Sequence, residues 1–268
     1  MIQFSIMKRM NTKHMKKLII ANWKMNPESV LKAKELFLGI KKTARTLSNV
    51  QTVIAPPFVY LRELSLRYRG HRIAFSGQDM FWEKKGSFTG EISGAMLKDA
   101  GASYVIIGHS ERRALGESDD MVHKKIKAAL KASFIVVVCI GEKERDHQSG
   151  NHFSFLSAQL ESALQGISKS TLQNVVIAYE PIWAIGKTQE EAMKAEELHE
   201  TVLFIRKIIA QLFGKNNAFT VPILYGGSAE KGNTEALFTK GMVDGLLVGH
   251  ASLKVNEFSD MLRIAHKI

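Results

Sequence analysis

Short runs of Val, Ile, Leu and Ala recur along this chain, each followed by a longer stretch in which apolar residues return every three or four positions. The short runs fall at residues 18–21, 52–55, 73–76, 104–107, 135–140, 175–179, 222–225 and 245–248. Most lack polar alternation, the pattern of strands covered on both faces. The longer stretches, at 27–46, 58–68, 94–100, 119–132, 153–166, 190–213, 234–240 and 257–265, have the spacing of amphipathic helices. Pro27 suits a first helical turn and Gly214 a helix end. Within 190–213, Met193, Leu198, Val202, Ile205 and Ile209 form a packing stripe rather than a cofactor site.

Eight strands, each followed by a helix, predict a single α/β domain, the (β/α)8 TIM barrel, over residues 15–268. The alternative is an open doubly wound sheet, but no G-x-G-x-x-G follows an early strand. Residues 1–14 read as an appended extension. Its apolar run from Ile2 to Met7 has no basic residue before it and is short for a secretory signal, and Met7, Met10 and Met15 each offer another start.

Composition narrows the function. Hydrophobic residues make up 45% of the chain, enough for a large core. No apolar run reaches the roughly 18 residues of a membrane span. The single cysteine, Cys139, excludes an internal disulfide framework and suits a reducing cytoplasm. No C-x-x-C pair or His cluster signals a metal. The net charge of +11 includes Lys8, Arg9, Lys13, Lys16 and Lys17 in a segment without acids. Such charge attracts nucleic acid or small anions. Without a helix-turn-helix, zinc-finger or RNA-stacking signature, a solvated basic face is the expectation and nucleic acid is not an expected partner.

In a barrel of this kind the chemistry sits at the carboxyl ends of the strands. The first strand ends in Asn22-Trp23-Lys24, and the fourth in Gly108-His109-Ser110-Glu111-Arg112-Arg113. The sixth ends in Glu180, followed by a stiff Pro181-Ile182-Trp183 and a small Ala184-Ile185-Gly186 that together read as a lid. An apolar run behind Glu180 and Trp183 ahead shield the carboxylate from water, and desolvation makes a carboxylate a stronger base. The same position equally suits a carboxylate paired with a nearby Lys or Arg. Gly226-Gly227-Ser228 and Gly249-His250-Ala251-Ser252 close the seventh and eighth strands, and such turns leave backbone N–H groups for an anion. Taken singly, Lys24 reads as a surface lysine, His109 as a buried histidine and Gly226-Gly227 as a tight turn. Their joint placement at one end of different strands points to a site.

In combination these motifs resemble the triosephosphate isomerase family, from about Lys17 to the C-terminus. Asn22-Trp23-Lys24-Met25-Asn26, Gly108 through Arg113, Cys139-Ile140-Gly141-Glu142, Tyr179 through Gly186 and Leu224 through Ser228 carry the resemblance, and Gly77-Gln78-Asp79 and Gly86 through Glu91 resemble the family's third loop. The resemblance implies interconversion of dihydroxyacetone phosphate and D-glyceraldehyde 3-phosphate through an enediolate, in glycolysis and gluconeogenesis, with no metal or organic cofactor. Glu180 is then the base. His109 is the electrophile, following the family's known pattern of a neutral histidine at a helix N-terminus. Lys24 supplies positive charge and Asn22 hydrogen-bonds the substrate oxygens. The N–H groups of Gly186, Ser228, Gly249 and His250 hold the phosphate. Cys139 packs behind Glu180, and Glu111 lies near Lys24. Thr89 enters the neighbouring subunit of a homodimer.

Two departures stand out. The family pattern Ala-Ile-Gly-Thr-Gly-Lys-Thr is here Ala184-Ile185-Gly186-Lys187-Thr188, a lid two residues shorter. His250 stands where the family has a second glycine. Two rival readings, another phosphosugar barrel enzyme and a non-catalytic descendant, are weaker against the full motif set.

Overall fold

The structure, a computed structural model, describes residues 16–145, 150–187 and 193–268. The extension at 1–14 and the second half of the lid lie outside them. Eight parallel strands close into a barrel in chain order: β1 Lys17–Asn22, β2 Val50–Ala55, β3 Ile73–Gly77, β4 Tyr104–Ile107, β5 Ile135–Ile140, β6 Val175–Tyr179, β7 Ile223–Tyr225 and β8 Gly245–Val248. All eight predicted runs are strands, and β4, β5, β6 and β8 have the predicted limits.

The missing polar alternation follows from two apolar layers. Leu18, Ile20, Val53, Ala55, Ile106, Val137, Cys139, Val176, Ala178, Leu224 and Leu247 pack inside the barrel. The residues between them, such as Ile19, Ala21, Ile54, Val105, Val138, Ile177 and Leu246, meet the surrounding helices. Both faces are therefore withdrawn from water, and each buried Ile, Leu or Val contributes about 1.5–3 kcal/mol. β8 reaches β1 closely enough that a Cβ at Gly245 would lie 1.9 Å from the Leu18 carbonyl oxygen, so the closing seam requires glycine.

Ten helices surround the strands among the described residues: α1 Val30–Ala44, α2 Phe58–Leu66, α3 Gly94–Asp99, α4 Ser110–Ala114, α5 Asp119–Lys131, α6 Asn151–Leu164, α7 Ala195–Phe213, α8 Lys215–Ala218, α9 Thr234–Thr239 and α10 Val255–Lys267. α1 begins three residues later than Pro27 predicts, because Ser29 is the N-cap and its hydroxyl accepts from Lys32 N–H at 3.3 Å. The predicted start of the 190–213 helix lies outside the described residues; within them α7 begins at Ala195, with Glu196 and Glu197 favouring the positive end of its dipole. In α10, Phe258, Met261, Leu262 and Ala265 form the stripe that faces the core.

One buried polar cluster braces the mouth. Lys125 of α5, whose side chain is 1% exposed, binds both oxygens of Asp79 at 2.8 and 2.7 Å and also pairs with Glu117. Arg112 reaches Asp79 at 3.1 Å. Asp79 follows Gln78, so this cluster fixes the start of the third loop beside the site.

Candidate active site

Glu180 leaves β6 at the carboxyl end of the barrel, and its residue is 2% exposed. Its backbone is seated against the β5 loop. Glu180 N–H donates to the Ile140 carbonyl at 2.8 Å, and a Cβ at Gly141 would fall 1.8 Å from the Glu180 carbonyl oxygen. The carboxylate accepts from Ser110 N–H through Oε2 at 2.9 Å. Oε1 is buried without a hydrogen-bond partner and lies 3.3 Å from His109 Nε2. The side chain is therefore anchored at the first turn of α4, at the edge of the barrel mouth.

His109 is the N-cap of α4, and its Nδ1 accepts from Glu111 N–H at 3.2 Å. An imidazole nitrogen that accepts carries no proton, so the ring is neutral with its proton on Nε2, the atom that faces Glu180. The N-terminal N–H groups of α4 thus organise both residues: Ser110 N–H holds Glu180, and Glu111 N–H sets the histidine tautomer.

Asn22 is buried at the end of β1, and its Oδ1 accepts from Lys24 N–H at 3.1 Å. Lys24 has φ 53°, a left-handed conformation uncommon for lysine. Gln78 sustains it. Its Nε2 donates to the Lys24 carbonyl at 2.9 Å and to the Ala55 carbonyl at 2.8 Å. The lysine side chain then crosses Gly249, where a Cβ would meet Lys24 Cε at 3.2 Å, and its Nζ pairs with Glu111 Oε1 at 2.7 Å. Glu111 therefore stands beside Lys24.

Asn22, Lys24 and His109 share a cavity of about 370 Å³ with Gly186, Ser228, Gly249 and His250. Among the described residues, no backbone carbonyl takes the N–H groups of Ser228, Gly249 or His250. Ser228 Oγ donates to the Ala184 carbonyl at 2.9 Å, tying the seventh-strand turn to the first half of the lid. Lys187 also lines this side. His250 is exposed at the rim. Glu180 does not line the cavity, because its carboxylate rests on α4 instead.

Cys139, on β5, is buried behind Glu180. Burial pushes its thiol well above the usual range, and the neighbouring Glu180 carboxylate pushes it further the same way. A raised thiol pKa leaves Cys139 protonated and unreactive, since the thiolate is the nucleophile. Iodoacetamide at about pH 8 is thus expected to leave the native protein unlabelled and to label Cys139 fully once denaturant unfolds it. Rapid labelling of native protein contradicts that burial. The linked stability is present below the unfolded thiol's pKa and declines as pH rises towards the folded one.

Thr89 lies exposed on the third loop and does not line the cavity. Sequence reasoning missed Gln78 as the clamp on Lys24 and Ser110 N–H as the rest position of Glu180. Gln78 was visible only as part of a motif, and the Ser110 contact depends on a backbone group that no residue type announces.

The fold and this cleft define a (β/α)8 enzyme acting on a small anionic substrate. The pattern described as Triosephosphate isomerase matches residues 17–265. A triosephosphate isomerase of Citrifermentans bemidjiense is 43% identical over 249 residues, covering 92% of this chain and 98% of that protein. One from Thermoanaerobacter pseudethanolicus is 42% identical, covering 91% and 98%. The crystal structure of triosephosphate isomerase from Bartonella henselae superposes with a TM-score of 0.79 at 33% identity, covering 93% of this chain and 98% of that one. The chain belongs to the triosephosphate isomerase family.

Proposed function

We propose that the protein interconverts dihydroxyacetone phosphate and D-glyceraldehyde 3-phosphate, with Glu180 as the base, His109 as the proton donor to oxygen, and Lys24 and Asn22 as the polar partners of substrate. The observation that carries the reading is the 3.3 Å approach of the unpartnered Glu180 Oε1 to the protonated Nε2 of His109. Glu180 leaves Ser110 N–H, turns into the cavity and takes a proton from the carbon beside the carbonyl. Negative charge then develops on the carbonyl oxygen, where His109 Nε2–H and Lys24 Nζ stabilise it as fixed donors. His109 Nε2–H gives its proton to that oxygen and takes the hydroxyl proton from the oxygen on the neighbouring carbon, and the carboxylic acid returns its proton to the carbon that held the carbonyl. His109 remains neutral at rest because Glu111 N–H occupies Nδ1.

The phosphate would lie against Ser228, Gly249, His250 and Gly186, whose backbone groups border the same cavity. A lid closing over it excludes water and keeps the enediolate from eliminating phosphate. His250 is exposed, so water screens its side chain and only its N–H serves. The His250→Gly variant is therefore expected to keep its KM profile between about pH 5.5 and about pH 8 unchanged within about twofold. A KM that loses its pH dependence on this substitution gives the imidazole a charge role.

The assembly is proposed to be a homodimer in the cytoplasm, in glycolysis and gluconeogenesis. Met25 is 94% exposed beside Lys24 and Leu115 is 81% exposed after α4, and such apolar surface near the mouth favours a partner. Thr89 would be the residue that crosses to the neighbouring site. Among the described residues no helix is long and apolar enough to cross a membrane. A coupled assay with glyceraldehyde 3-phosphate tests the activity: turnover by the wild type supports it, and none in folded protein refutes it. Sedimentation at twice the 29.9 kDa chain mass supports the dimer, whereas a monomer that turns over normally sinks it.

A further inference from the structure

A buried ionic cluster lies behind the lid, outside the cavity. Glu142, in the turn after β5, is 2% exposed. Its Oε1 accepts from Tyr179 OH at 2.8 Å and from Trp183 Nε1 at 2.9 Å, and its backbone carbonyl accepts from Ile182 N–H at 3.0 Å. Its Oε2 is buried without a hydrogen-bond partner. Glu142 thus grips the chain at the point where Glu180 gives way to the lid.

Arg145 is buried beside it, with a side chain 3% exposed. Its Nη1 donates to Tyr179 OH at 3.3 Å and to Thr201 Oγ1 of α7 at 3.2 Å, and stands 4.0 Å from Glu142 Oε1. Its Nη2 lies 3.9 Å from the exposed Glu200. The donors and acceptors form one consistent chain. Thr201 gives its proton to the Glu197 carbonyl at 3.1 Å and receives from Arg145, while Tyr179 gives its proton to Glu142 and receives from Arg145.

We propose that Arg145 is a positioning residue for the isomerisation, holding Trp183 through Tyr179 and Glu142 and so setting the turn that carries Ile185 and Gly186 to the phosphate side of the cavity. This rests on the isomerase reading above. A buried carboxylate with one bare oxygen is sustained by a nearby cation, and removing that cation drives the carboxylate to take up a proton or reorient. Either change weakens the charge-assisted bond to Trp183 Nε1.

The test compares wild type with Arg145→Met, Arg145→Lys and Thr201→Val. It reads kcat and KM for glyceraldehyde 3-phosphate, the inhibition constant of 2-phosphoglycolate, and the Trp183 indole N–H resonance assigned with Trp183→Phe. Arg145→Met is expected to raise KM and the inhibition constant together by about fivefold with kcat changed less than about twofold, and to move the indole resonance upfield. Arg145→Lys keeps the charge and restores most of the binding. Thr201→Val, which keeps the cation but loses one anchor, moves the same quantities less, and these two variants decide the matter if Arg145→Met does not fold. Unchanged KM, inhibition and resonance overturn the proposal, as does a lowered Tm with KM unchanged, the mark of a merely structural role. Wild type without isomerase activity sinks the isomerase reading instead, while the indole resonance still reports on Arg145.

Discussion

Replacing Glu180 with Gln is expected to lower kcat by about 10³–10⁴-fold with little change in KM, the scale of a lost general base. That corresponds to about 4–5.5 kcal/mol of transition-state stabilisation. Glutamine has the same shape, and its carbonyl oxygen can still accept from Ser110 N–H as the Glu180 carboxylate does. The fold and the rest position of the side chain are therefore retained. The amide cannot take a proton from carbon. Steady-state kinetics on a variant with wild-type Tm checks this, and a kcat within tenfold of wild type would remove Glu180 from its role.

Replacing Lys24 with Met is expected to lower kcat/KM by about 10³-fold, at the upper end for one preorganised electrostatic partner. Two effects add. The cation that faces substrate is gone, and Glu111, which pairs with Lys24 at 2.7 Å, is left as an uncompensated anion near the phosphate. Adding Glu111→Gln removes the second effect, so the double variant is expected to recover part of the loss. If Lys24→Met binds and turns over substrate normally, the lysine serves only its ion pair. Methionine keeps the length of the side chain, and Gln78 still clamps the backbone at residue 24, so a general collapse of the mouth is not expected.

The strands were legible in the sequence because each is apolar on both faces, and the barrel followed from counting them. Glu180, His109, Lys24 and Asn22 were legible as polar residues at strand ends and through the family motifs. α4 was legible only through the family resemblance, which puts a helix N-terminus at His109. Its five residues Ser110–Ala114 are too few and too polar for a helical stripe, so by pattern alone they read as the tail of β4. Yet α4 supplies the N–H groups that hold Glu180 and fix the proton of His109. The start of α1 was misplaced because Pro27 and Ser29 both suit a helix start, and the capping bond to Lys32 decided between them. The bracing pairs were hidden for another reason. Lys125 with Asp79, and Arg145 with Tyr179 and Thr201, join residues far apart in the chain, and charged residues in a local pattern read as surface.

The account rests on one carboxylate carrying a proton between neighbouring carbons. Dihydroxyacetone phosphate turned over in deuterium oxide, with product trapped as it forms and read by NMR, tests this most directly. A carboxyl group that holds the proton at the enediolate stage exchanges it with solvent, so wild type is expected to place deuterium on carbon 2 of glyceraldehyde 3-phosphate, and Glu180→Gln to place none at a comparable rate. Product carrying no deuterium from wild type, or equal labelling by the variant, contradicts the mechanism.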